Sequence, residues 1–150
     1  MILNDENHRE IIESYSEQDW KPLFDLIPEI EKTSNFGEIV EGERGTTGII
    51  QMPYYKESSI ITLFLKIAYE LPFIISFDWG SWDEGRNIAQ NEDFDFDTID
   101  IPTKCKLITA IVRNDRFCEG TLISAFNSGL ILKIIRSIRN SIKRDNKPQR

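Results

Sequence analysis

Residues 104–126 read KCKLITAIVRNDRFCEGTLISAF, and this stretch predicts the centre of the fold. Four of its apolar residues recur at the spacing of one helix face: Leu107, Ile108, Ile111 and Val112. Pro102 suits the first turn of that helix, and Gly129 suits the end of the helix that follows it. We therefore predict helices over residues 102–115 and 119–128.

Further helices are predicted on both sides of this stretch. Apolar residues at helical spacing indicate a short helix over residues 5–15, a second over 16–30 and a long last helix lined by isoleucines. Pro28 should kink or interrupt the second of these helices. Residues 58–71 are apolar almost all round, which predicts a buried central helix.

Residues 36–80 have a different pattern from the rest of the chain. Glycines separate two short β-like pieces, EIV at 38–40 and GIIQM at 48–52, which indicates a hairpin or an irregular loop. The run FIISFDW at 73–79 alternates as a strand does, so that every second side chain would share one face.

The predicted fold class is mainly α (α+β), in a single compact domain. It has about six to seven helices, with a small β-hairpin or two to four short strands in the 36–80 region. Ser81 and Glu84 fit a capping box that opens one of the short helices. The helices from residue 102 onward should form a three-helix unit, and residues 1–4 and 145–150 should be frayed.

Length and composition predict a cytoplasmic protein. A chain of 150 residues is expected to form one domain. No apolar run approaches the ~20 residues of a membrane span, and the polar, acidic N-terminus does not fit a signal peptide. The two cysteines, Cys105 and Cys118, are expected to be free thiols. No membrane contact is predicted.

Charge is distributed unevenly along a chain whose net charge is −7. Residues 131–150 contain seven lysines and arginines and one acid, so this segment carries +6 and the remaining residues carry −13. An acidic body repels nucleic acid, so nucleic acid is not an expected partner unless the basic last helix binds it. The other interpretation of that helix is a solvated face with cations near its negative end.

The residue types that catalysis usually needs are scarce in this chain. His8 is the only histidine, so a His-based triad or metal site is not expected. The alternating aspartates of 93–97 have the spacing of calcium ligands, but Thr98 stands where glycine is required and Lys104 where glutamate is required. We predict no metal and no cofactor. An enzyme is not favoured, although a carboxylate-based hydrolase stays open.

Two segments combine aromatic residues with charge and form the candidate site. They are FDWGSWD at 77–83 and RNDRF at 113–117. The candidate residues are Asp78, Trp79, Trp82, Arg113, Asp115 and Arg116. Tryptophan and arginine are typical of pockets and interfaces, and two arginines three residues apart suit an anionic group. The alternative is that the indoles only pack and that the arginines pair with surface acids.

Asp115 allows more than one interpretation. Helical geometry places it on the buried stripe, whereas Arg113 falls on nearly the opposite face. An acid on a buried face is costly unless its oxygens have partners. Asp115 therefore caps the next helix, pairs with a cation such as Arg116, or lines a pocket.

The same segments resemble the signature of a bacterial and phage family known only as a domain of unknown function. The pattern K-L-[LI]-T-x-[IV]-V-R-x-D-R-F-x-x-G-x-L matches residues 106–122, and an FDW…W segment matches 77–82. The resemblance covers roughly residues 20–140. It implies an intracellular bacterial or phage protein, and it carries no activity, substrate or cofactor.

Three functions are consistent with these observations. The favoured one is a small protein-interaction or accessory module, with a protein partner or a homodimer formed through the isoleucine-rich last helix. The alternative is a domain that binds a small anion or nucleotide, or an enzyme, with a pocket between the segment Asp78–Trp82 and Arg113–Arg116. The third is nucleic-acid contact through the basic last helix.

Overall fold

The computed structural model of the chain describes residues 3–4, 7–40 and 53–145. Within these ranges the protein is mainly α, which confirms the predicted fold class. The helices are α1 (His8–Glu13), α2 (Glu17–Phe24), α3 (Leu26–Lys32), α4 (Ser59–Glu70), α5 (Asp83–Gln90), α6 (Ile101–Asn114), α7 (Thr121–Asn127) and α8 (Leu130–Asp145). Two 3₁₀ turns, Trp79–Ser81 and Phe96–Thr98, precede α5 and α6.

In the described ranges, four short strands form two separate two-stranded sheets. β2 (Gly37–Val40) and β3 (Tyr54–Glu57) are antiparallel, with Ile39 opposite Tyr55, which confirms a small antiparallel pair in the 36–80 region. The predicted piece at 48–52 lies outside the described residues. β1 (Leu3–Asn4) pairs in parallel with β4 (Ile75–Ser76), in contrast to the frayed start expected for residues 1–4.

The helix predicted over residues 16–30 is interrupted, as expected from Pro28, but the break lies three residues before the proline. α2 ends at Phe24 and α3 begins at Leu26, so the chain bends at Asp25, before Pro28. Pro28 accounts for this position, because its ring clashes with the carbonyl four residues earlier, that of Phe24. Pro28 then lies in the first turn of α3, where a missing N–H leaves no helical hydrogen bond unmade.

Two predictions about the middle of the chain are wrong. α4 is not buried all round, because Leu63 and Tyr69 on its outer face are 43% and 36% exposed. The strand predicted over 73–79 is only Ile75–Ser76, and the adjacent Phe73 and Ile74 are also buried, so the segment does not alternate. Its ladder partner, β1, is itself two residues long, which limits the pairing to that length.

The starts of two helices differ from the prediction. Ser81 lies in the 3₁₀ turn and does not cap α5, whose N-cap position is Trp82 with no side-chain hydrogen bond. The start of α6 has a cap that the sequence reading missed. Asp100 accepts a hydrogen bond from the Thr103 amide at 2.9 Å, and this bond closes the first turn of α6.

α6 is the central helix of the domain, and it packs against α1, α5, α7 and α8. The predicted three-helix unit of α6, α7 and α8 is confirmed, since each of these helices contacts the other two. The isoleucine stripe of α8 is at most 8% exposed: Ile131, Ile134, Ile135, Ile138 and Ile142. These side chains belong to the core, and the homodimer suggested through an exposed side of the last helix stays a prediction.

A chain of aromatic rings runs through the core beside these helices. Successive ring centroids lie 5.2 to 6.4 Å apart along the series Tyr15, Trp20, Phe73, Phe64, Phe126 and Phe36. The series joins α2, α4 and α7 to the loops before β2 and β4.

In the described part of the chain no single helix is long and apolar enough to cross a membrane, and α7 with α8 meets that test only as a pair bent by 66°.

Candidate functional site: an aromatic cleft between α5 and the α6–α7 pair

A cleft of about 570 Å³ lies between α5 on one side and α6 and α7 on the other. Its α5 side is lined by the indoles of Trp79 and Trp82. Its other wall consists mostly of small and apolar side chains: Leu107, Ala110, Ile111, Asn114, Thr121, Ser124, Ala125 and Ser128. Because these side chains are small, α6 and α7 leave an open space opposite α5. Ligand pockets in proteins have volumes of roughly 300–1,000 Å³, so the cleft is of ordinary binding-site size.

Gly85 determines where the Trp82 indole lies. A Cβ atom at Gly85 would come within 2.2 Å of a ring carbon of Trp82, a distance that no real contact permits. The Trp82 ring also packs edge-on against Phe77, with ring centroids 5.5 Å apart. The indole is therefore held between Phe77 and the bare backbone of α5, and it forms a rigid wall of the cleft.

Trp79 stands at the rim of the cleft and contacts the most exposed aromatic ring in the described part of the chain. Its ring centroid is 5.8 Å from that of Phe117, and Phe117 is 77% exposed. Phe117 lies in the turn between α6 and α7. Two aromatic side chains from distant parts of the sequence thus form one apolar rim.

Arg86 stabilises the turn that carries these indoles. Its guanidinium donates a hydrogen bond to the carbonyl of Gly80 and lies 3.6 Å from the carboxylate of Asp83. Arg86 lines the cleft, but its charge is already engaged by its own segment. Arg86 therefore stabilises the 3₁₀ turn and the start of α5.

The structure brings together only some of the predicted site residues. Trp79 and Trp82 line the cleft, and Asp78 is exposed beside them. In the segment RNDRF at 113–117, the residue that lines the cleft is Asn114. Arg113 is half-buried and Arg116 exposed, and neither side chain hydrogen-bonds or pairs with any residue that the structure describes. The expected pairing of these arginines with surface acids is therefore absent from the described ranges.

Asp115 caps α7, as one of the sequence interpretations proposed. Its Oδ1 accepts hydrogen bonds from the amides of Gly120 at 3.1 Å and Leu122 at 3.0 Å. The N-cap position of α7 is Gly120, with φ at +97°, and glycine has no side chain to provide a capping oxygen. Asp115 provides that oxygen from the end of α6, so it joins the two helices that form one wall of the cleft.

Asp115→Ala should lower the free energy of unfolding by about 1–2 kcal/mol, because two amides lose their acceptor. Asp115→Asn should lose much less, since the amide oxygen of asparagine also caps well. Urea denaturation of both variants checks this expectation. If asparagine were as damaging as alanine, the carboxylate charge would be the essential feature, and the capping role would be insufficient.

The β-hairpin covers the far side of the turn between α6 and α7. The Tyr55 amide donates to Oε1 of Glu119 at 3.2 Å, and the Tyr55 ring lies against Gly120. Burial raises the pKa of Glu57, and the nearby carboxylates of Asp115 and Glu119 raise it further. Negative charge is thus concentrated under the hairpin, roughly 160° around the α6 axis from Arg113.

A larger cavity, of about 660 Å³, lies among α1, α2, α6 and α8, and it contains none of the predicted site residues. Among its charged groups, Asp100 pairs with Arg9 and caps α6. In the described ranges no three His, Cys, Asp or Glu side chains form a metal-binding group. Cys105 is buried and Cys118 exposed, and both thiols are free, as predicted.

Some lining residues were missed from the sequence, although a signal for them exists. Thr121, Ser124, Ala125 and Ser128 are small residues at helical spacing, which is the pattern of a helix face that leaves room for something else. Gly85 follows Trp82 by one helical turn, which allows the indole to lie on the helix backbone. Phe117 was quoted in the signature but not chosen, because its exposure has no sequence signal.

The fold and the cleft define a small, mainly helical domain with an aromatic-lined cleft. The chain belongs to a family of unknown function (DUF6508), whose model matches residues 15–144. This range contains every residue of the cleft and both arginines. No curated protein and no solved structure matches the chain.

Proposed function

We propose that this chain is a protein-interaction module that binds a partner segment along the aromatic cleft. The observation that carries the proposal is the apolar rim formed by Trp79 and Phe117 at the mouth of the cleft. An aromatic ring that is 77% exposed contributes little to folding, but it can bury most of its surface against a partner. Burying a side chain of this size is worth roughly 1.5–3 kcal/mol.

The residue types around the cleft also support an interface. Tryptophan and arginine are enriched among the few residues that supply most of the binding energy in protein complexes. The cleft has room for an apolar side chain of the partner, and Asn114 and Ser124 offer polar groups in its wall. The rigid position of Trp82 means that little ordering is needed on binding.

The other candidate functions have weaker support. A small anion would need the arginines in the cleft, but Arg113 and Arg116 are not among its lining residues. Nucleic acid would need a basic surface on α8, but Arg136 pairs with Glu31 at 2.8 Å and the net charge of −7 repels nucleic acid. A cytoplasmic location remains part of the proposal.

A displayed library of random 12-residue peptides, selected on the immobilised protein, tests the proposal. Selected peptides should bind the parent chain and lose about 10-fold or more in affinity, ~1.4 kcal/mol, on Phe117→Ala or Trp79→Ala. Phe117→Ala should leave the stability of the fold unchanged, because the ring is mostly in solvent. The matched control is Leu63→Ala, which removes an exposed apolar side chain from α4, outside the cleft.

Two results would contradict the proposal. One is a selection that enriches no peptide above a blank surface. The other is a set of peptides whose affinity is unchanged by Phe117→Ala and Trp79→Ala but falls with Leu63→Ala, because the binding surface would then be elsewhere.

A further inference from the structure

We infer that the segment bound at the aromatic cleft is acidic, with carboxylates flanking the apolar side chain that enters the cleft. This inference rests on the proposed function, and it specifies the partner's chemistry. Two observations support it. Arg113 and Arg116 lie beside the rim formed by Trp79 and Phe117, and neither arginine has an ion-pair partner in the described ranges.

The geometry of α6 places Arg113 beside the aromatic rim. The Lys106 ammonium on α6 lies over the Phe77 ring, 5.2 Å from its centroid, and Trp79 contacts Phe117 in the turn that follows α6. Arg113 is seven residues after Lys106, so the two side chains lie within about 20° of each other around the helix axis. The segment from Phe77 to Trp79 therefore follows the face that carries Arg113. Arg116 is the immediate neighbour of Phe117.

Arg113 and Arg116 form no ion pair or side-chain hydrogen bond within the described ranges, although the chain is acidic overall. Arg86, the nearest other arginine of the site, is already held by Gly80 and Asp83. A half-buried guanidinium gains most from a carboxylate, which can accept two parallel hydrogen bonds. The two arginines are thus available to a partner.

The carboxylates of Asp115 and Glu119 do not pair with the two arginines. Asp115 is occupied by the amides of Gly120 and Leu122, and Glu119 accepts from Tyr55 under the hairpin. Because the net charge is −7, long-range attraction should favour basic peptides over acidic ones. A preference for acidic peptides would therefore report the local arginine pair and could not come from the overall charge.

Two peptide libraries with the same aromatic and aliphatic content test the inference. One encodes Asp and Glu at its charged positions, and the other encodes Lys and Arg. The acidic library should yield peptides that bind and lose about 10-fold in affinity on Phe117→Ala. The double substitution Arg113→Gln with Arg116→Gln should weaken them by a similar factor, and so should higher salt. Lys133→Gln with Lys143→Gln, the same loss of two positive charges on the exposed face of α8, should have no effect.

The outcomes separate this inference from the proposed function. One outcome would contradict only the acidic partner. It is equal binding by the basic library, or by acidic peptides with Gln in place of Asp and Glu, that is still weakened by Phe117→Ala. The cleft would then bind peptides, but the inference that the partner is acidic would be wrong. If neither library bound, both proposals would fail. If inorganic phosphate alone abolished binding of the acidic peptides at low millimolar concentration, the arginines would form a free-anion site, which overturns the inference.

Discussion

Trp20→Ala should lower the free energy of unfolding by about 3–5 kcal/mol, the largest single effect that we expect in this protein. Trp20 is completely buried, and it lies between the rings of Tyr15, Phe24 and Phe73, with centroids 5.5, 6.4 and 5.8 Å away. Removing the indole leaves a cavity within the aromatic series, where α2 meets α4. Globular domains are stable by only about 5–15 kcal/mol, so the variant should be close to unfolding at 37 °C.

Trp20→Phe is the matched comparison for this prediction. The indole N–H of Trp20 is buried and has no hydrogen-bond acceptor in the described ranges. Phenylalanine keeps a ring in the same place and removes that unpaired donor, so it should cost much less than alanine. Thermal and urea denaturation of both variants measure the difference. An alanine variant as stable as the phenylalanine variant would show that the site collapses around the missing ring.

Gly85→Ala should have the second largest effect, about 1–3 kcal/mol of lost stability, together with a displaced Trp82 indole. The added methyl group would lie 2.2 Å from the Trp82 ring, so the indole must leave its position against α5. Because that ring is a wall of the cleft, the variant should also bind the selected peptides more weakly.

Two controls isolate the cause of the Gly85→Ala effect. Gly80→Ala adds the same methyl group five residues earlier, where the nearest atom would be 3.9 Å away, and should be nearly silent. In a Trp82→Ala background, Gly85→Ala should cost little, because the clashing ring is absent. If Gly85→Ala were equally costly in both backgrounds, the clash with Trp82 would not be its cause.

Local sequence signals predicted the elements of the candidate site better than they predicted its lining. The run at 102–128 specified both helices of one cleft wall, and the position of Asp115 at the end of the first helix made capping one of its three possible roles. Trp79 and Trp82, from the aromatic segment at 77–83, both line the cleft. In contrast, Asn114 lines the cleft, whereas its neighbours Arg113 and Asp115 point to other sides of α6. Successive side chains on α6 differ in direction by 100°, so neighbouring residues face different surroundings. Which of these directions faces α5 is set by the packing of the helices.

The sequence by itself determined the mainly helical class and the three-helix unit of α6, α7 and α8. These depend on residue spacing and on hydrogen bonds between near neighbours, which a sequence displays directly. For Asp115 the sequence left capping, ion pairing and pocket lining open, and the structure shows the cap. Three features were decided only by the tertiary structure. The α8 isoleucines are buried in the core, and Phe117 is exposed and contacts Trp79. A cleft lies between α5 and α7. Those features depend on contacts between segments about 40 residues apart, as Trp79 and Phe117 are. Such contacts are set by how all the helices share one core, and no local pattern records that outcome.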